Sequence, residues 1–92
     1  MDITDDELRR ITLRLVVQRG PEKSICPSEV ARAAAPSSWR ELMHRVRRVA
    51  DGLAAEGLVL VLQGGREVDA SAKGPIRLRI RSDGARDASD TA

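Results

Sequence analysis

Residues 27–53, PSEVARAAAPSSWRELMHRVRRVADGL, decide the fold. Pro27 carries the fixed φ that suits the first position of a helix, and Ser28 and Glu29 place polar groups in the first turn, where the helix dipole favours them. The helix so opened runs to about Ala35, short and alanine-rich, with Val30, Ala31 and Ala34 as its inward face. Pro36 stops it. Ser37 and Ser38 then give a tight turn, and Ser38 followed by Glu41 has the spacing of a capping box that opens a longer helix. In that helix Trp39, Leu42, Met43, Val46, Val49, Ala50 and Leu53 fall within one arc at 3.6-residue periodicity, and Gly57 ends it. Two helices joined by so few residues are the sequence form of a helix-turn-helix.

Upstream, Thr4 and Glu7 form another capping-box pattern, and Ile3 with Leu8 can make the accompanying hydrophobic staple. The helix predicted here, about Thr4 to Arg19, turns Leu8, Ile11, Leu15 and Val16 inward and leaves Arg9, Arg10, Arg14 and Gln18 to solvent. Gly20, suited to a left-handed C′ position, and Pro21 end it. Ser24-Ile25-Cys26 is a short extended stretch. Downstream, Leu58–Leu62 is too short for a helix and rich in strand formers, and Ile76-Arg77-Leu78-Arg79-Ile80 alternates strictly. Gly64-Gly65 marks a turn, and the segment from there to Gly74-Pro75 reads as a long, polar hairpin connection. The predicted class is α+β: a winged helix-turn-helix of three helices and a small antiparallel sheet over residues 1–81. A disordered tail is expected at 82–92. A three-helix bundle with the strand pair packed elsewhere has the same elements; the Ser24–Cys26 strand, where a winged helix has its third strand, favours the winged form.

The 92 residues are enough for one domain, and a hydrophobic content of 41% argues against wholesale disorder. Trp39 is the sole aromatic residue, so Leu, Val, Ile and Ala must fill the core. Sixteen Lys and Arg against 14 Asp and Glu, with a pI near 9.3, suit a polyanionic partner without requiring one. Asp83, Asp87 and Asp90 concentrate acid in the tail, leaving the remainder more basic than the whole. A single cysteine excludes an internal disulfide and suits a reducing cytoplasm, and one histidine with it makes no usual zinc set. The acidic start, Met1 to Asp6, lacks the order of a signal peptide, and no apolar run is long enough to span a bilayer. No membrane association is expected.

Four strings carry a resemblance: Arg19-Gly20-Pro21, Ile25-Cys26-Pro27-Ser28-Glu29-Val30-Ala31-Arg32, Trp39-Arg40-Glu41-Leu42-Met43, and Gly74-Pro75-Ile76-Arg77-Leu78-Arg79. Over about Leu8 to Ile80 the chain resembles a bacterial domain-of-unknown-function family, DUF3253. The resemblance implies a winged helix fold and a bacterial source. It implies no activity, ligand or catalytic residue.

Opposite its apolar arc the long helix presents Arg40, His44 and Arg48, flanked by Arg45 and Arg47. In a helix-turn-helix the corresponding helix enters the major groove, where arginine pairs bidentately with guanine or holds phosphates. Arg66 and Lys73 in the hairpin connection are placed to reach the DNA backbone or a minor groove, or serve as ordinary loop solubilisers. Glu41 and Asp51 on the same exposed side, and the favourable i,i+4 pair Glu41–Arg45, support a solvated or protein-binding surface instead. The candidate partner is therefore double-stranded DNA or, in a different class, a protein partner or second copy of the chain. Cys26 precedes a helix start, which lowers a thiol pKa, but its Ile-Cys-Pro setting assigns it to core packing. Arg77 and Arg79 are expected to guard an outer strand edge. Trp39 is expected as a core anchor. No nucleophile–base–carboxylate set or phosphate-binding loop is visible, so no enzyme activity and no cofactor are expected.

Overall fold

The computed structural model describes residues 3–81. Helix α1 spans Asp5–Arg19, α2 Pro27–Ala34 and α3 Trp39–Ala55, and the strands are β1 Val59–Gln63, β2 Arg66–Glu67 and β3 Arg77–Ile80. The sheet is antiparallel in the order β2-β1-β3. The predicted tail, 82–92, lies outside the described residues.

Thr4 caps α1 as its spacing predicts. Its Oγ1 accepts the Glu7 N–H at 3.1 Å, and Glu7 Oε1 accepts the Thr4 N–H at 3.2 Å. The buried line of α1 is Leu8, Thr12 and Val16, strictly four residues apart, while Ile11 and Leu15 are only half-buried. A threonine serves in that line because its hydroxyl donates to the Leu8 carbonyl at 2.7 Å, so no polar atom is orphaned. Gly20 ends α1 with φ +94° and ψ 162°, a glycine-only region and not the left-handed turn expected there. Arg9, expected in solvent, pairs through both terminal nitrogens with the carboxylate of Glu56 at 2.6 and 2.7 Å, tying α1 to the end of α3. That hydrogen bond holds the Glu56 carboxyl below the usual carboxylate range.

The start of α2 is built on Cys26 and Glu29. Glu29 Oε2 accepts the Cys26 N–H at 2.9 Å, and Arg19 donates to Oε1 of the same carboxylate at 2.5 Å. Partial burial pushes this carboxyl up, but the Cys26 N–H and Arg19 together outweigh it and hold the group below its ordinary value. Between α2 and α3 the predicted Ser38–Glu41 capping box does not form. Ser38 sits at φ −136°, ψ 32°, outside the extended conformation from which a cap side chain reaches back, and its carbonyl takes the Glu41 N–H at 3.1 Å. Backbone turns, with Ser38 N–H donating to the Ala35 carbonyl, make this junction instead.

Ile25 and Leu78 exchange both backbone hydrogen bonds, at 2.7 and 2.8 Å, so the short extended stretch before α2 is a single bridge on the free side of β3. Leu78, opposite Val61 on β1, is fully buried, as are Leu8, Val16, Ile25, Val30, Val46 and Leu53. These aliphatic side chains from all three helices and the sheet form one core. The hairpin differs from expectation. Gly64 and Gly65, both at positive φ as a two-residue hairpin turn requires, reverse β1 directly into β2 on one edge. Residues 68–76 then carry the chain to the other side of β1 to begin β3. The polar connection is thus a third strand followed by a crossing loop.

Two outcomes check this architecture. Leu78→Ala should lower stability by about 2–5 kcal/mol in urea unfolding, because the side chain lies at the centre of the core; a loss below about 1 kcal/mol would place it elsewhere. Glu29 titrates below its ordinary value of about 4.5 in the folded protein, so its contribution is present above that pH and disappears as pH falls through the lowered value. Glu29→Gln should accordingly narrow the gap in urea midpoint between about pH 7 and pH 3.

Candidate nucleic-acid interface

Helix α3 buries Leu42, Val46, Ala50 and Leu53 against the core and turns its opposite side to solvent. Arg40, His44 and Arg48, each one turn apart, are exposed there, with Glu41 and Asp51 beside them. None of Arg40, His44 and Arg48 makes an ion pair or donates a side-chain hydrogen bond among the described residues. Their donors face water.

The two flanking arginines are engaged inside the domain. Arg45 donates from Nε and Nη2 to Asp5 Oδ1 at 3.1 and 2.8 Å and from Nη2 to the Ile3 carbonyl at 2.7 Å, holding the start of α1 against α3. This long-range pair replaces the local Glu41–Arg45 pair that the spacing suggested. Arg47 reaches the crossing loop: Nη1 donates to the Gly74 carbonyl at 3.1 Å, and Nη2 donates to the carbonyls of Ala70 and Ala72 at 3.2 and 2.6 Å. A planar fork with several fixed donors is suited to gathering backbone carbonyls in this way. The loop therefore lies along α3, and Ala70 is buried beneath it.

Between loop and helix runs a groove of about 560 Å³ lined by His44, Arg47, Arg48, Asp51 and residues 70–74. Lys73 lines it with an exposed side chain, and Gln63 fixes the backbone there by donating to the Lys73 carbonyl at 2.6 Å. Arg66 does not join this groove. It sits on β2, across β1 from β3, exposed at the hairpin turn. Of the seven cationic or titratable positions singled out from sequence, His44, Arg48 and Lys73 come together with their polar ends free of partners among the described residues. Arg40 continues the same helix face toward its start, Arg66 stands apart, and Arg45 and Arg47 fasten the scaffold.

Trp39 is half-buried, packed on the rim of the core. Two guanidinium groups lie over its ring, with Cζ of Arg32 at 4.3 Å and Cζ of Arg40 at 4.6 Å from the centroid. Arg32, in the last turn of α2, escaped the sequence reading because its approach to Trp39 depends on the geometry of the intervening turn. Cys26, expected in the core, is only half-buried, and its Sγ accepts the Ser28 hydroxyl at 3.1 Å. Arg77 is exposed, as its alternation predicts. It also donates to Ser24 Oγ and the Ser24 carbonyl at 3.0 and 3.1 Å, fastening β3 to the segment before α2.

Three helices, a small antiparallel sheet bridged at Ile25, and a basic face on the second helix of the helix-turn-helix define a winged helix-turn-helix domain. The chain belongs to the family described as a protein of unknown function, DUF3253, whose model matches residues 5–81. No curated protein matches the chain. Among the described residues no helix is long and apolar enough to cross a membrane.

Arg47→Lys tests the loop clasp. Lysine keeps the charge but not the fork, so the variant should lose about 1.5–3 kcal/mol of stability, and the amides of residues 70–75 should exchange faster with solvent deuterium. Unchanged exchange in that segment would mean that other contacts hold the loop.

Proposed function

We propose that this domain binds double-stranded DNA as a small, cytoplasmic, regulator-like module of bacteria, with α3 in the major groove and the wing at the phosphate backbone. The observation that carries this reading is the row Arg40, His44 and Arg48 on α3, continued by Lys73 across the groove, with no acidic partner for any of them among the described residues. Arginines so exposed on the second helix of a helix-turn-helix, with a lysine facing them from the wing, are the groups that release counterions from a duplex and contact base edges. Arg66, on the far edge of the sheet, adds a backbone contact if the duplex follows the wing. One such domain binds weakly, so useful specificity calls for two copies on half-sites about one helical turn apart.

A second reading, a protein-interaction module without DNA affinity, is favoured by two exposed apolar side chains, Val17 at 62% and Leu58 at 37% exposure, together with the acids Glu41 and Asp51 on α3.

Fluorescence anisotropy with a labelled duplex separates the two. With Arg45 and Arg47 engaged internally, DNA binding should show a log–log salt slope of about −3 to −4. The double charge reversal of Arg40 and Arg48 should abolish it. Reversing Arg10 and Arg14 on the outer side of α1 should change it little. Absence of binding at low salt, or equal effects of the two double variants, would transfer the function to the protein-interaction reading.

A further inference from the structure

We infer that Arg32, Trp39 and Arg40 together form a guanine-reading element at the start of α3, in which the indole ring positions two guanidinium forks for base edges in the major groove. The inference rests on the DNA-binding reading above and adds to it a base preference and two residues, Arg32 and Trp39, outside the α3 row and the wing.

The arginines of this domain are held in two ways. Arg9, Arg19, Arg45, Arg47 and Arg77 are positioned by donating to carboxylates, carbonyls or a hydroxyl within the domain, which leaves fewer donors for a ligand. Arg32 and Arg40 are positioned differently. Each lies over the face of Trp39, at 4.3 and 4.6 Å, and neither donates a hydrogen bond to another described residue. A cation held by the π-face of a ring is steered without using its N–H groups. Both forks are thus ordered while their N–H groups have no protein acceptor among the described residues, and a side chain already ordered loses less rotamer freedom on binding.

The ring itself supports this assignment. Trp39 is the chain's one aromatic residue in a core otherwise made of aliphatic side chains, and it is half-buried at the core's rim where both guanidinium groups meet it. Trp39 and Arg40 are the first two residues of α3, and the first turns of the second helix are the part of a helix-turn-helix that contacts base edges. Guanine offers two adjacent acceptors, O6 and N7, that match one guanidinium fork. Both Cζ atoms lie within 4.6 Å of one ring centroid, which keeps the two forks close enough to address guanines on neighbouring base pairs.

The experiment compares three duplexes of equal length in anisotropy titrations: one with adjacent guanines, one of A·T pairs only, and the first with 7-deazaguanine in place of guanine. The guanine duplex should bind about tenfold or more tightly than the other two, since 7-deazaguanine removes the N7 acceptor and leaves every phosphate in place. Trp39 fluorescence, the chain's only tryptophan signal, should change with the guanine duplex. Arg32→Ala and Trp39→Leu should each erase most of the preference with the salt slope unaltered, and Trp39→Phe should restore it by returning an aromatic face. Thermal melting checks the fold of each variant, and the exposed Arg32→Ala keeps the test decisive if Trp39→Leu unfolds. Equal affinity for all three duplexes overturns the inference while leaving DNA binding intact. Uniform weakening by Arg32→Ala, with the salt slope reduced by about one, also overturns it, because Arg32 would then be a phosphate contact. No binding to any duplex removes the inference together with the DNA-binding reading.

Discussion

The reciprocal hydrogen bonds between Ile25 and Leu78 set the register between two parts of the chain that are far apart in sequence. Leu78 is flanked by Val61 on one side and Ile25 on the other, so a single residue fixes β3 against both β1 and the approach to α2. A slip of one position would exchange the buried Leu78 for Arg77 or Arg79, and the core has no acceptor for either charge. Around this bridge the polar contacts agree with one another. Arg77 donates to Ser24, Arg19 donates to the Ser24 carbonyl and to Glu29, and Glu29 accepts the Cys26 N–H. The direction of α2, and through the turn that of α3, follows from the sheet.

Arginine has two different uses in this small domain. Where its fork meets carbonyls or carboxylates it fastens one element to another, as Arg9, Arg45 and Arg47 do, replacing some of the cohesion that larger aromatic side chains supply in other cores. Where it meets solvent or the face of Trp39, its donors are kept for something outside the chain. Residues 44–48 hold both kinds side by side, so their net charge overstates the part of the helix available to a ligand. The free positions form a face, and the fastening positions flank it.

Much of the fold was legible because it rests on local rules. The capping pair Thr4–Glu7, Pro27 at a helix start, the arc from Leu42 to Leu53 and the alternation through Leu78 each report a short-range periodicity or a backbone preference, and each reappears in the structure. What could not be read depends on distant partners. Thr12 is polar by type and became a core residue through a bond to its own helix. The Ser38–Glu41 spacing matched a capping box, but the short turn set Ser38 at dihedrals that prevent it. Residues 66–67 are too few to show alternation, so β2 was hidden inside a stretch that reads as loop. At the candidate site, sequence set Arg45 and Arg47 beside the row of Arg40, His44 and Arg48 without showing that they are engaged inside the domain, because their acceptors lie some 23 to 42 residues away along the chain. The stacking of Arg32 on Trp39 was likewise a product of the turn and not of helical spacing.

The Arg47 clasp makes the crossing loop and α3 a single mechanical unit. Three carbonyls from alternate residues, 70, 72 and 74, meet one guanidinium, so the loop's length is as constrained as its direction. One residue inserted between Ala70 and Gly74 would put an N–H or a side chain where a carbonyl must be. The same insertion at Glu22 would only lengthen a surface turn that is held by one backbone bond, from Lys23 to Gly20. Across the family, length variation should therefore gather in the connection between α1 and α2 and be rare in the wing, the reverse of the usual expectation for a projecting hairpin.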